Sequence, residues 1–250
     1  MIKMHWTEDL FIKKANLFKI LLDLKWKYAE RDSRIISSVI KEFCKDCKLI
    51  LDVMCGNGRI ALHLAKYGYE VICIDFSEEL LRDGIRRAKD LGVYNKVRFV
   101  KRDVREPLNL DVIGDASLMI WSSIGYYSLE EDIKILRNIR NYVRENGLLI
   151  IADIILKSDI LLDESQSYFE IGKYKIFLHS MYDRKSSILK NEWFFYENLG
   201  GREKYIGETE MLIRIYDLSE LQKMLKNAGW KPIAVRCKEG MKLIIAKNVP

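Results

Sequence analysis

The sequence predicts an α/β fold: a doubly wound, mostly parallel sheet with N-terminal helices and an antiparallel β insert. Three observations carry this. Between residues 49 and 155, short apolar runs alternate with amphipathic helical patterns, as repeated strand-helix-strand units require. The runs are apolar almost without interruption, as strands covered on both faces are. Over residues 168–216 the spacing changes to period two, the mark of strands with one buried face.

Taken in order, residues 6–24 and 31–43 read as two amphipathic helices, the first with an apolar stripe at Phe11, Ala15, Phe18 and Leu22. Leu49, Ile50 and Leu51 then begin a strand, Asp52 places an acid near its tip, and Gly56 and Gly58 precede a helical pattern with Ile60, Leu62, Leu64 and Ala65. Glycines at such a turn let the backbone approach a ligand, and the unpaired N–H groups of the first helical turn face it. A second strand, residues 70–75, ends in Asp75. Roughly 20 residues between two such acids is the spacing at which the second reaches the ribose hydroxyls of a nucleoside ligand. Two ligands compete at this point. The run from Gly56 to Ala61 fits G-x-G-x-x-G/A, which suits a nicotinamide dinucleotide. Asp52 would repel a pyrophosphate at the helix terminus and suits a ligand carrying an ammonium and a sulfonium.

The run Asp52-Val53-Met54-Cys55-Gly56-Asn57-Gly58, together with Asp75, resembles motifs I and II of the class I S-adenosylmethionine-dependent methyltransferases. It is similar in particular to the small-molecule branch that reads D-x-x-C-G-x-G-R and then L-A-x-x-G-x-x-V. Those positions are Asp52, Cys55, Gly56, Gly58, Arg59, Leu64, Ala65, Gly68 and Val71. Met54 departs from the family, which usually has glycine there; its side chain is expected to point away from the cofactor. The resemblance implies a Rossmann-like fold of seven strands and S-adenosyl-L-methionine as cofactor, with S-adenosyl-L-homocysteine as product. It also implies the cofactor contacts: Asp52, Cys55, Gly56 and Gly58 in the loop, Asp75 and Phe76 after the second strand, Asp103 to the adenine amino group and the Val104 amide to its ring. Trp121 and Arg31 complete the set, Arg31 reaching the cofactor carboxylate. The alternative for Arg31 is an exposed arginine at a helix start.

Beyond Asp75, Ser77 is a good N-cap with Glu78 and Glu79 in the first turn, and the helix should run to Leu91 before Gly92. Residues 96–100 form a third strand that delivers Asp103 and Val104. The fourth, residues 115–121, runs into Ser122-Ser123-Ile124-Gly125-Tyr126-Tyr127. This is not the N-P-P-Y or D-P-P-Y of exocyclic-amine methyltransferases; it looks like the S-x-G-Y-x of small-molecule enzymes, which makes Tyr126 and Tyr127 substrate-lining candidates. Packing is the other reading of either tyrosine. Ser128-Leu129-Glu130-Glu131 is a capping box for a helix stopped by Asn146-Gly147, and residues 148–155 make the fifth strand. The period-two region reads as about three strands, with turns at Asp183-Arg184-Lys185-Ser186 and Gly200-Gly201. Relatives carry a substrate-covering insert there, and its aromatics, among them Tyr168, Phe169 and Trp193, fit a pocket roof or a homodimer surface equally well. Arg214 and Tyr216 are candidates to hold a polar or anionic substrate. Asp217 and Glu220 cap a last helix over residues 221–228, and residues 233–236 and 241–247 close a hairpin at Glu239-Gly240. The expected organisation is one methyltransferase domain over residues 1–250. Cap helices occupy 1–45, the cofactor-binding core 46–156 and 217–250, and the insert covering the substrate site 157–216.

Composition agrees with a soluble, cytoplasmic protein: 250 residues, 49% hydrophobic, bury a full core, and no apolar run approaches the roughly 20 residues that span a bilayer. Residues 1–14 carry acids and aromatics where a signal peptide has an apolar centre. Five cysteines make no disulfide framework. Cys44-Lys45-Asp46-Cys47 has no partner cluster for zinc, closes a helix where a thioredoxin-type pair opens one, and is read as incidental; no metal is expected. The net charge of +6 comes from bases intermixed with acids. Residues 82–89 and 98–105 are the denser stretches that an RNA-binding face would use.

The reaction expected is in-line attack of a substrate nitrogen or oxygen on the sulfonium methyl. An amine that arrives neutral needs no base, whereas an oxygen acceptor would call on His179 or on a tyrosine such as Tyr126. His63 reads as packed and His5 as surface. Other classes remain open at this level: an RNA or protein methyltransferase with the same cofactor site, a cofactor-binding protein without transfer activity, and a nicotinamide-dependent oxidoreductase.

Overall fold

The computed structural model describes residues 5–250; the part of the amino-terminal segment that precedes His5 lies outside the described residues. The chain divides into two compact units, one made of Tyr28–Ile154 with Leu218–Pro250, the other of the residues up to Lys27 with Ile155–Asp217. No helix among the described residues is long and apolar enough to cross a membrane.

The expected first helix is broken into α1 (Trp6–Glu8), a π-helical turn over Asp9–Lys13, and α2 (Ala15–Trp26). The wide turn, closed by the Lys14 amide on the Asp9 carbonyl at 2.8 Å, brings Trp6 and Phe11 to a centroid distance of 5.7 Å and leaves Phe11 edge-on to Phe18 at 4.7 Å. An aromatic pair five residues apart cannot share a face of a 3.6-residue helix, and the extra residue per turn corrects this. The stripe of Phe11, Ala15, Phe18 and Leu22 is buried as expected.

In the larger unit, α3 (Ala29–Phe43) leads to β1 (Leu49–Val53), followed by α4 (Arg59–Lys66), β2 (Glu70–Asp75), α5 (Glu78–Asp90), β3 (Val97–Lys101), β4 (Gly114–Ile120), α6 (Leu129–Arg140) and β5 (Val143–Ala152). Ser77 caps α5, and Ser128 with Glu131 forms the capping box of α6. Helix α6 stops earlier than Asn146-Gly147 suggested: Val143 already pairs with Gly114, and Asn146 takes a left-handed φ of 59° as an irregularity inside β5. The Cys44–Cys47 pair between α3 and β1, read above as incidental, is joined as a disulfide.

The insert has four strands, not three: β6 (Glu164–Ile171), β7 (Tyr174–Asp183), β8 (Ile188–Asn198) and β9 (Glu203–Arg214), antiparallel in that order. β6 was hidden by its polar Glu164-Ser165-Gln166-Ser167, which an exposed edge strand tolerates. One face of this sheet buries Ile176, Phe195, Met211 and Ile213; the other carries Tyr168, Phe177, Tyr196 and Tyr205 in a row with centroids 5.5–6.0 Å apart.

The chain then returns to the larger unit with α7 (Leu218–Asn227), β10 (Trp230–Lys238) and β11 (Met241–Asn248). Its seven strands lie in the order β10-β11-β5-β4-β1-β2-β3, parallel except for β11, which runs antiparallel to both neighbours. The order reverses between β1 and β4, so a crevice opens at the carboxyl ends of those strands.

Candidate functional site

At the carboxyl edge of this sheet the backbone is forced into unusual turns. Met54 after β1, Trp121 and Ser122 after β4, and Asp153 after β5 all have φ between 53° and 61°, a region that costs a side-chain-bearing residue energy. The turns are fastened by the Trp121 amide on the Ala152 carbonyl and the Asp153 amide on the Lys242 carbonyl, each at 3.0 Å. The conformation of Met54 explains why a glycine is the usual residue at its place.

Gly56 and Gly58 follow with φ of 58° and 72°. Gly58 opens α4, and a Cβ on it would stand 3.2 Å from the Cys73 Sγ and 3.4 Å from the Phe99 ring. The loop is tied to β2 through Asp75, whose Oδ2 accepts the Gly56 amide and whose Oδ1 accepts the Ser77 amide, both at 2.8 Å. The Phe76 amide also favours the charged form of Asp75, and a carboxylate's roughly four lone-pair sites exceed these three amides, which leaves acceptor capacity for a ligand hydroxyl. Burial pushes Asp75 up to about 6 against the pull of these amides. It pushes Asp52 up to about 7, although the Arg59 guanidinium and the Ala61 amide favour its charged form. Burial raises the Cys55 thiol well above its ordinary value, and Cys73 and the two carboxylates add to this.

Two buried acids that ionise reluctantly beside a bare loop are poorly suited to a pyrophosphate, whose charge would raise them further. They suit a nucleoside whose far end is cationic. The donor set fits S-adenosylmethionine: an acceptor carboxylate at Asp75 for a ribose, and a carboxylate at Asp52 on the side where α4 begins.

Around this core, Asn57 is fully buried and donates through Nδ2 to the Asp83 Oδ2 at 3.0 Å. Arg86 and Arg87 also bond Asp83, so much of the basic stretch 82–89 is taken up by acids of its own helix. Gly84 lets α5 approach: a Cβ there would lie 2.6 Å from the Phe99 ring and 2.9 Å from the Asn57 carbonyl. On the other side, the Asp32 carboxylate joins Arg59 to Arg31.

Asp103 is gripped by Arg105, through the guanidinium and the backbone amide, and is held below its ordinary value despite partial burial. Val104 is buried, and Phe76 and Trp121 are half-buried. The Arg105 guanidinium stacks over the Tyr127 ring at 4.8 Å. Tyr126 is half-buried, burial pushing its hydroxyl up, and the Gly125 amide donates to Asp132 at 3.0 Å to fix this segment on α6.

The structure thus gathers Arg31, Asp52, Cys55, Gly56, Gly58, Asp75 and Phe76 in one unit with Asp103, Val104, Trp121, Tyr126 and Tyr127. His179, Arg214 and Tyr216 belong to the other unit. There the His179 ring is held between Glu164 at 2.7 Å and Glu192 at 3.3 Å, and these acids raise its value. Arg214 donates to the Ser186 carbonyl, and Tyr216 is buried. Sequence reasoning missed Asp32, Asn57, Asp83 and Gly84. Only Gly84 left a signal, as a glycine inside a helical pattern.

Comparison with known proteins agrees with this geometry. Residues 50–147 match the family described as the methyltransferase domain. The chain is 27% identical over 192 residues, 73% of each protein, to YqeM of Bacillus subtilis (strain 168), a protein provisionally named a methyltransferase. A solved S-adenosylmethionine-dependent methyltransferase from Clostridium acetobutylicum ATCC 824 superposes with a TM-score of 0.78 at 17% identity, over 95% of this chain and 98% of that one. CalS10 from Micromonospora echinaspora, an amino pentose methyltransferase solved with S-adenosylmethionine, gives 0.77 at 15% identity over 93% and 97%. At such identities the likeness is one of fold. Residues 50–147 thus match a methyltransferase domain, and the chain carries the fold seen in S-adenosylmethionine-dependent methyltransferases.

Proposed function

We propose that the protein binds S-adenosylmethionine at this site and transfers its methyl group to a nitrogen or oxygen of a small molecule. The observation that carries the cofactor reading is the pair of buried carboxylates, Asp52 and Asp75, flanking a loop of left-handed residues at neighbouring strand ends. The small-molecule acceptor is supported by the absence of N-P-P-Y or D-P-P-Y after β4 and by the likeness to an amino pentose methyltransferase.

When bound, the cofactor supplies an electrophilic methyl on a positively charged sulfur. In this reading Asp75 accepts a ribose hydroxyl with the acceptor capacity that the Gly56, Phe76 and Ser77 amides leave. Asp52 faces the ammonium end, and Arg31 receives the carboxylate. Phe76, Val104 and Trp121 enclose the nucleoside, and Asp103 takes the adenine amino group by sharing its carboxylate with Arg105. Tyr126, protonated at neutral pH like any tyrosine and made harder to ionise by burial, acts as a hydrogen-bond donor and not as a base. His179, raised by its acids, is shifted toward its protonated form and is less available to take a proton. An amine acceptor that arrives neutral suits such a set best, because alignment and exclusion of water then supply most of the rate, on the order of 7 kcal/mol or more.

Calorimetric titration with S-adenosylhomocysteine, beside NADH as control, tests the reading. Binding of the first and not the second is expected. Asp75→Ala should weaken S-adenosylhomocysteine roughly 10-fold to 100-fold, as loss of charge-assisted bonds does. An affinity unchanged by that substitution would remove the ribose assignment.

A further inference from the structure

We infer that Asp32 is a positioning residue: its carboxylate bridges Arg59 of the glycine loop to Arg31 and so aims Arg31 at the carboxylate end of the cofactor. The inference rests on the cofactor reading above. Oδ2 of Asp32 accepts from Nη1 of Arg59 at 3.0 Å, while Oδ1 accepts from Nη2 and Nε of Arg31 at 2.8 and 3.1 Å. The side chains of Asp32 and Arg59 are each 4% exposed, that of Arg31 45%.

The division of labour follows from these exposures. Arg59 lies in the first turn of α4, directly after Gly58, and its second terminal nitrogen is buried without a partner among the described residues. Through Nη1 it serves as a fixed counter-ion to Asp32. Arg31 is the outer cation, stacked over Tyr28 at 5.1 Å with two of its three nitrogens on Asp32, leaving Nη1 for an anion. A planar guanidinium held along one edge presents its remaining donors in a fixed direction. The Ser33 hydroxyl on the Ile60 carbonyl at 3.3 Å locks α3 to α4 at the same level, so the loop and Arg31 keep one register.

The test uses two ligands that share adenosine and a thioether: S-adenosylhomocysteine, which has the amino-acid end, and 5′-methylthioadenosine, which lacks it. Asp32→Asn and Arg31→Gln should each weaken the first about 10-fold to 100-fold and leave the second within about 2-fold by calorimetry. The double variant should bind no more weakly than Arg31→Gln alone. Should Asp32→Asn fail to fold because Arg59 loses its counter-ion, Arg31→Lys decides. It keeps the charge, loses the fork, and should weaken S-adenosylhomocysteine about 10-fold with 5′-methylthioadenosine unchanged. An equal loss of both ligands in Asp32→Asn, or wild-type affinity in Arg31→Lys, would overturn the positioning role. Wild-type protein that binds neither ligand would instead overturn the cofactor reading and the inference with it.

Discussion

Gly58 shows how narrowly the loop is constrained. Its φ of 72° and the 3.2 Å that would separate a Cβ from the Cys73 Sγ both oppose any side chain. Gly58→Ala should therefore destabilise the protein by about 1–2 kcal/mol from backbone conformation alone, read as a lower denaturation midpoint, and should weaken S-adenosylhomocysteine as well. Equal midpoints for variant and wild type would mean that the loop relaxes freely. The position of this residue was legible in the sequence, as were those of Gly56, Asp52 and Asp75, because each is set by the local path of a strand, a turn and a helix start. Asp32 and Asp83 were not legible. Each gains its meaning from a partner on another element, Arg59 in one case and Asn57 in the other, and no local pattern encodes such a pairing.

Helix α5 puts propensity and packing in conflict at Gly84. Alanine is about 1 kcal/mol better than glycine inside a helix, but its Cβ would press on the Phe99 ring and the Asn57 carbonyl at 2.6 and 2.9 Å. Overpacking of that kind costs about 1–3 kcal/mol. Gly84→Ala should thus lower stability by about 1 kcal/mol in chemical denaturation, and should loosen the glycine loop enough to reduce S-adenosylhomocysteine affinity. A stabilised variant would show that α5 is free to move outward. Elements whose apolar pattern faces the core were read correctly, from β1 through β4 and in the final hairpin, whereas the end of α6 was placed too late. The sequence failed where burial does not write the pattern: β6 is a polar edge strand, and the turn at Asp9–Lys13 answers to the Trp6–Phe11 contact instead of helical periodicity.

At the scale of the whole molecule, the raised Asp52 and Asp75 set the pH dependence of stability. Carboxyls that titrate near 4 in the unfolded chain titrate at about 7 and about 6 in the folded one. Between those limits the folded state binds more protons, so stability falls as pH rises through the window from about 4 to 7. The ligand-free protein should melt roughly 5 °C or more higher at pH 5 than at pH 8. Asp52→Asn should flatten that slope and stabilise the protein at pH 8. Melting temperatures that climb with pH across the window would contradict the assignment. S-adenosylhomocysteine should bind more tightly as Asp52 ionises, so its affinity should rise over the same range in which the empty protein weakens.

Because β11 lies between β5 and β10, a ribosome must translate everything from residue 153 to residue 248 before the edge formed by Leu148, Leu149, Ile150 and Ile151 is paired. Through all that time the nascent chain presents an open, strongly apolar strand edge of the kind that templates aggregation. Premature termination within the insert would release an α/β sheet that is unsealed, a ready client for chaperones.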